Sequence, residues 1–295
     1  MGAYQINDLE RLTGIKAHTI RIWEKRYGLI RPYRTDTNRR YYDDDQVRKL
    51  LNVTTLLSYG HKISKIAALN DEEIYKNIEN GAPDRNNVHA HTGYVNDLVT
   101  SMLSYDEQGF ERIFSAAVLR MGLYDAMVMV VYPFLVKVGV LWSINKTAPI
   151  QEHFASCIVR RKLMAAIDGL LAPAKRDKKF LLFLPPDEWH EIGLLFANYM
   201  LRAHGFETVY LGQSVPLADL EKVVEGVRPH AIFTLFIAPR PEKEIRMLLG
   251  EYAVHNGTAV YFSGDTDLLQ HISDLPPNVH RLKDVLSMAE TLELL

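Results

Sequence analysis

The chain has 295 residues, 47% apolar and 24% charged, with a formal net charge of -2, the make-up of a soluble globular protein with two domains or three small ones. No apolar run reaches the roughly 18 residues of a spanning helix, and no basic-then-apolar leader opens the chain, so a cytoplasmic protein without membrane contact is expected. A single cysteine, Cys157, excludes an internal disulfide and argues against the paired thiolates of a zinc site or a soft-metal sensor.

The near-neutral total hides a basic segment. From Lys16 to Arg40 stand Lys16, Arg21, Lys25, Arg26, Arg31, Arg34, Arg39 and Arg40 against Glu24 and Asp36, the footprint of a polyanion contact. Ile6, Leu9 and Leu12 recur at helical spacing, with Asn7 or Asp8 placed to cap, and Gly14 ends that short helix. Ala17 to Tyr27 forms a second helix, with Ile20, Trp23 and Tyr27 on its apolar stripe and His18, Thr19, Arg21 and Lys25 outside it. Two helices across a glycine turn make a helix-turn-helix, whose second helix enters the major groove. Arg34 to Tyr42 reads as a wing: Asn38 suits a left-handed turn and tyrosines favour the returning strand. Asp43 to Asp45 then cap a helix through Val47, Leu50 and Leu51, and Gly60 separates it from one ending near Leu69.

Over about 75 positions this segment resembles the DNA-binding domain of the MerR family, on Thr13-Gly14-Ile15, His18-Thr19-Ile20-Arg21, Trp23-Glu24, Tyr27-Gly28-Leu29, Arg31-Pro32, Arg40, Tyr42, Val47 and Leu50. The resemblance implies that His18, Thr19, Arg21, Arg34, Arg39, Arg40 and Tyr41 meet a two-fold, pseudo-palindromic operator in double-stranded DNA. Phosphate contacts position and base contacts specify, and the sequence does not sort one from the other.

Residues 1–76 are therefore expected to form the DNA-binding domain. A polar, Gly- and Pro-containing stretch from Glu79 to Asn87 predicts a linker, placed over 77–91. Four helical patterns follow over 92–174: one opened by Leu98, Met102 and Leu103, one by Phe110, Phe114 and Val118, one from Met127 to Leu141, and one from Ile150 to Leu171. Together they predict a four-helix bundle. The third, apolar almost all round, is expected to be buried. Trp142 closes it and Glu152-His153 begin the next, so the three are expected to converge at one end.

Over 175–295 the pattern changes to apolar strands alternating with helices. Strands are predicted at Lys179–Leu184, Thr208–Leu211, Ala231–Ile237 and Ala259–Phe262, with a weaker one at His280–Leu282. This predicts a Rossmann-like, doubly wound parallel sheet, in which ligands sit beyond the carboxyl ends of the strands. His190 lies there, in Glu188-Trp189-His190-Glu191-Ile192-Gly193. Asp187, Glu188 and Glu191 are each placed to accept its second ring proton and fix the tautomer, and Gly193 keeps the backbone uncrowded.

This domain resembles cobalamin-binding Rossmann-like modules, whose pattern is D/E-x-H-x-x-G, then S-x-L, then G-G. Glu188, His190 and Gly193 match the first element; Thr234-Leu235-Phe236 and Ser263-Gly264 take the other two places at the motif's spacing. Thr234 keeps a hydroxyl for a nucleotide base, whereas Phe236 for Leu and Ser263 for Gly add bulk where the cobalamin tail threads. With Trp142, Glu152 and His153, nearly the whole chain resembles the light-responsive, adenosylcobalamin-dependent MerR-type repressors of the CarH and LitR kind. The resemblance implies adenosylcobalamin or another cobalamin as cofactor and His190 as lower axial ligand to cobalt. It also implies Trp142 and Glu152 around the upper adenosyl group, and a dimer or tetramer whose assembly changes operator binding. Ser143 departs from the His that follows the Trp in light-sensing members.

Two alternatives stand beside this reading. In one, the sensor has lost its ligand and serves as an oligomerisation or protein-interaction module. The other is a mutase or methyltransferase, and no residues remain to build its catalytic domain, so a non-enzyme is expected.

Overall fold

The computed structural model describes residues 4–35, 38–80, 88–143, 149–171, 177–254, 258–284 and 287. It comprises two compact units, Met1–Ile158 and Val159–Leu295, and the division falls inside one helix.

In the first unit, α1 (Ile6–Thr13) and α2 (Ala17–Tyr27) are joined across Gly14, which ends α1 at φ 73°. That left-handed conformation suits glycine. The N-cap is Gln5 rather than Asn7 or Asp8: Asp8 instead reaches back to accept from the Gln5 backbone N–H at 2.7 Å, closing a capping box. The wing is a two-stranded hairpin, β1 (Tyr33–Arg34) antiparallel to β2 (Arg40–Tyr41), with Asn38 at φ 62° as the sequence predicts. Tyr4 and Tyr42 exchange both backbone hydrogen bonds, 2.7 and 2.8 Å, and so tie the chain's start to the wing. Helix α3 (Asp44–Ser58) is capped by Asp43, which accepts from Gln46 N–H at 3.0 Å. The short α4 (Ile63–Ile66) and α5 (Asp71–Asn80) follow.

The linker expected over 77–91 is helical at both ends, because α5 runs to Asn80 and α6 starts at Val88; residues 81–87 lie outside the described residues. Helix α6 (Val88–Leu103) lies against α3 and packs with α7 (Glu107–Met121) and the following helical run. That run consists of α8 (Leu123–Ala126), a π turn at Met127–Val131, and α9 (Tyr132–Ser143). Leu98, Met102, Phe110, Phe114, Val130, Phe134 and Leu141 fill the space between these helices, each burial worth roughly 1.5–3 kcal/mol. Helix α10 (Pro149–Asp168) starts against the α6–α7 turn, with Gln151 Nε2 donating to Leu103 O and Phe154 edge-on to Tyr105. Contrary to the sequence expectation, the apolar third helix is not buried all round. Met129 is 40% and Val136 68% exposed, since a helix among three neighbours covers only the faces it turns to them.

The second unit is a five-stranded, all-parallel sheet in the order β4-β3-β5-β6-β7, with β3 (Lys179–Phe183), β4 (Glu207–Gly212), β5 (Ala231–Phe236), β6 (Ala259–Gly264) and β7 (Val279–Arg281). Helix α11 (Ile192–Ala203) packs on β3, β4 and β5. Helices α12 (Leu217–Val227), α13 (Glu242–Ala253) and the short α14 (Thr266–Leu269) bury Leu220, Val224, Ile245, Leu249, Tyr252 and Leu269 against Leu181, Phe183, Ile232, Phe236, Val260 and Phe262. Counted within the sheet, the strand order is 2-1-3-4-5, the doubly wound arrangement whose switch point, and ligand crevice, lies between its first and third strands. Here those strands are β3 and β5.

Candidate functional site

The DNA-facing candidates fall into two groups. His18 and Arg21 are exposed on α2 and Thr19 is half-buried. Arg21 joins Arg34, Arg39 and Arg40 of the wing around a concavity of about 480 Å³, also lined by Gln5, Ile6 and Asn38. Arg34 Nη1 donates to Asn38 Oδ1 at 2.6 Å, which sets its guanidinium along the hairpin. His18, Thr19 and Tyr41 do not line this concavity; Tyr41 stacks on Tyr33 at 5.4 Å and stiffens the wing. Glu24 of α2 accepts from the Tyr42 hydroxyl, which ties α2 to the residue that follows the hairpin. Nothing in the sequence placed Gln5 and Ile6 beside the wing, because only the Tyr4–Tyr42 pairing brings them there.

In the second unit, His190 stands on the loop between β3 and α11, at the switch point. Its Nδ1 lies 2.6 Å from Glu188 Oε1. Glu188 is fully buried and also accepts from the backbone N–H of Trp189 (3.1 Å), His190 (3.2 Å), Ile237 (2.8 Å) and Ala238 (2.7 Å). Burial alone would raise this carboxyl. The hydrogen bonds from His190, Ala238 and Ile237 outweigh it and hold the group down at about 2. The carboxylate is therefore ionised, keeps the imidazole proton on Nδ1, and leaves the ring's lone pair on Nε2. It also stitches the loop after β3 to the loop after β5.

Two further ties fix the loop: Gln213 Nε2 donates to Trp189 O at 3.1 Å, and Arg240 Nη2 donates to Pro186 O. Asp187 and Ser214 sit at φ 60° and 46°, strained positions of the kind that collect at binding sites. Trp189 and Ile237, 60% and 38% exposed, add apolar surface around His190.

Of the three acids named as orienters, only Glu188 orients the ring. Asp187 is exposed. Glu191 is buried, pairs with Arg160 of α10 and accepts from the Tyr210 hydroxyl at 2.9 Å. Arg160 was missed, since it lies on a different element, far from Glu191 in sequence. Gly193 is half-buried in the first turn of α11.

At the other motif positions, the Thr234 hydroxyl is buried with no hydrogen-bond partner among the described residues. A Cβ on Gly264 (φ 156°) would stand 1.9 Å from Phe236 O, so this position must be glycine. Ser263 is buried in β6, paired with Leu235. Phe236 is fully buried, edge-on to Phe262 at 6.2 Å. In the first unit, Glu152 accepts from Ser156 Oγ, and exposed His153 lies 3.8 Å from Glu152. Trp142 and Ser143 end α9, and their side chains, with residues 144–148, lie outside the described residues, as does the expected convergence of Trp142 with Glu152 and His153.

A winged helix-turn-helix followed by a helical bundle and a Rossmann-like sheet with a carboxylate-held histidine at its switch point defines a two-part regulator, one part built for DNA and one for a ligand. The family model for the MerR HTH family regulatory protein matches residues 4–73, and that for a B12 binding domain matches residues 94–167. The chain is 30% identical over 268 residues to the HTH-type transcriptional repressor CarH of Myxococcus xanthus, covering 88% of each. It is 29% identical over 249 residues to CarA of the same organism, covering 83% of this chain and 80% of that one. A monomethylamine corrinoid protein from Methanosarcina barkeri shares the fold, with a TM-score of 0.54 at 16% identity over 67% of this chain and 96% of that one. The protein belongs to the family of MerR-type transcriptional repressors that carry a B12-binding domain.

Proposed function

We propose that the protein is a non-enzymatic DNA-binding repressor whose operator affinity is set by a bound cobalamin, adenosylcobalamin in the dark, which His190 would hold by its cobalt through Nε2. The observation that carries this reading is the Glu188–His190 couple at the β3/β5 switch point, since ligating histidines are held by a carboxylate on their other nitrogen. Further residues around the switch point fit the group. The Thr234 hydroxyl, without a hydrogen-bond partner among the described residues, is a ready donor or acceptor for a nucleotide base, and Gly264 lets β6 end against β5 without a side chain. Trp189 and Ile237 offer apolar contact to a large planar ring. The adenosyl form would supply a cobalt–carbon bond that light cleaves. From the first unit, Trp142, Glu152 and His153 are assigned to the upper group by resemblance to the light-responsive members. On the DNA side, Arg21, Arg34, Arg39 and Arg40 hold phosphate, while His18 and Thr19 face the groove. The repressor acts as a dimer or tetramer on a pseudo-palindromic operator in the cytoplasm.

Incubating the purified protein with adenosylcobalamin in the dark, desalting it and recording its absorption spectrum tests the reading. A retained red chromophore is expected, with His190→Ala shifting the spectrum toward a form without histidine ligation. Phe236, filling the core beside Phe262, favours a second reading, a sensor that no longer holds its ligand; a colourless desalted wild type would decide for it.

A further inference from the structure

Between the DNA-reading head and the B12-binding bundle lies a buried polar cluster that neither function explains. Asn96 of α6 is fully buried. Its Nδ2 donates to Thr54 Oγ1 at 2.9 Å, Thr55 Oγ1 at 3.3 Å and, at 3.4 Å, Leu51 O, all on α3. Its Oδ1 accepts from Lys137 Nζ of α9 at 2.7 Å. Burial lowers Lys137 to about 8, so the ammonium persists at neutral pH. It fixes the amide's orientation, because a flipped Asn96 would turn its own N–H groups on the cation. The turn of α6 before Asn96 takes part too, for Gly93 lies so close to α3 that a Cβ there would stand 2.8 Å from the Tyr59 hydroxyl and 3.3 Å from the Thr55 methyl. Helix α9 also touches α1 of the head. Beyond Lys137, the same helix carries Trp142.

An apolar seam would serve better if the head only needed to be glued down. A satisfied polar cluster behaves differently: it rewards one alignment, and its groups lose little when released to water. We infer that Lys137 and Asn96 are positioning residues that hold α3 to the bundle, and that movement of α9 passes through them to the DNA-reading head. This rests on the proposed reading that the bundle senses a cobalamin.

The test uses the full chain, adenosylcobalamin, and a duplex selected by the wild type from a random-sequence pool. Lys137→Met removes the cation, and Gly93→Leu wedges Tyr59 and α3 away without touching Lys137, so the second decides if the first does not fold. Both variants are expected to take up cobalamin with the wild-type spectrum and to show faster amide exchange in α3. In both, a ligand-driven change in DNA affinity of about 5- to 150-fold in the wild type should fall to about two-fold or less. Variants that bind cobalamin and DNA with the wild-type ligand effect overturn the inference. A wild type that responds to no ligand overturns it through the sensor reading itself, and faster exchange in the variants would then show that the joint exists without that role.

Discussion

Both oxygens of Glu188 are taken: Oε1 by His190 and the turn's own amides, Oε2 by Ile237 and Ala238. Glu188→Gln keeps the size but sets an amide N–H₂ against donors. We expect it to lose about 1–3 kcal/mol in urea unfolding and to weaken cobalamin binding by about 10–100-fold; a variant with wild-type values for both would remove Glu188 from its role. Asp97 gives a pH signature. Burial pushes its carboxyl up to about 7. A raised carboxyl stabilises the fold fully below its ordinary pKa, and that contribution is lost as the pH climbs through about 7. Asp97→Asn should therefore be more stable than the wild type at pH 8, with the gap narrowing as the pH falls toward 4, read by urea unfolding across that range. The E-x-H-x-x-G string was legible in the sequence. The choice of Glu188 over Asp187 and Glu191 was not, for the deciding partners are backbone amides some 50 residues away, and amides carry no side-chain signature.

At the scale of elements, the wing and α2 present Arg21, Arg34, Arg39 and Arg40 to one concavity. Arg40→Ala should weaken binding by about 1–3 kcal/mol and lower the slope of log affinity against log salt by about one; titration at several salt concentrations checks both, and an unchanged slope would take Arg40 off the phosphates. Helices α1 and α2 were readable to the residue because glycine stops and an apolar stripe bracket them. β3 and β5 were readable as apolar runs, since both their faces are covered, whereas β7, with His280 and Arg281 exposed, gave a weaker signal. Less visible was the π turn, because Met-Val-Met-Val-Val has the composition of any buried helix. The ends of the linker were misjudged for a related reason: polar residues such as Lys76 and Asn77 serve a helix as readily as a loop.

For the whole molecule, the proposed two-fold operator would call for at least a dimer, and a ligand that prefers one assembly stabilises it. Sedimentation of the protein with and without adenosylcobalamin, in the dark and after illumination, is expected to give different sizes; identical profiles would favour the ligandless alternative. On the proposed assignment the upper group would meet Ser143 where light-sensing members place an imidazole, and His153, well exposed near the start of α10, is the nearby histidine in sequence. His153 would be the residue left to hold the cobalt there after illumination, so a bis-imidazole spectrum that survives His153→Ala would show that another residue does so. The order of head, bundle and sheet was legible from three changes of periodicity. The division within α10 was not, because a helix's hydrophobic pattern runs through such a point without a break.

The π turn at Met127–Val131 also decides where the chain tolerates a change of length. A π turn holds one residue more than the α-helix it interrupts, and the surplus is absorbed locally instead of rotating everything downstream by about 100°. Deleting Met129, which is exposed, should convert the turn to plain α-helix and still deliver Phe134 to the core and Lys137 to Asn96. Deleting Val136, exposed as well but inside regular α9, has no surplus to draw on, so Phe134 and Lys137 could no longer both keep their places. Relatives one residue shorter at the π turn would then keep the same working surfaces, and those one residue shorter between Phe134 and Lys137 would not.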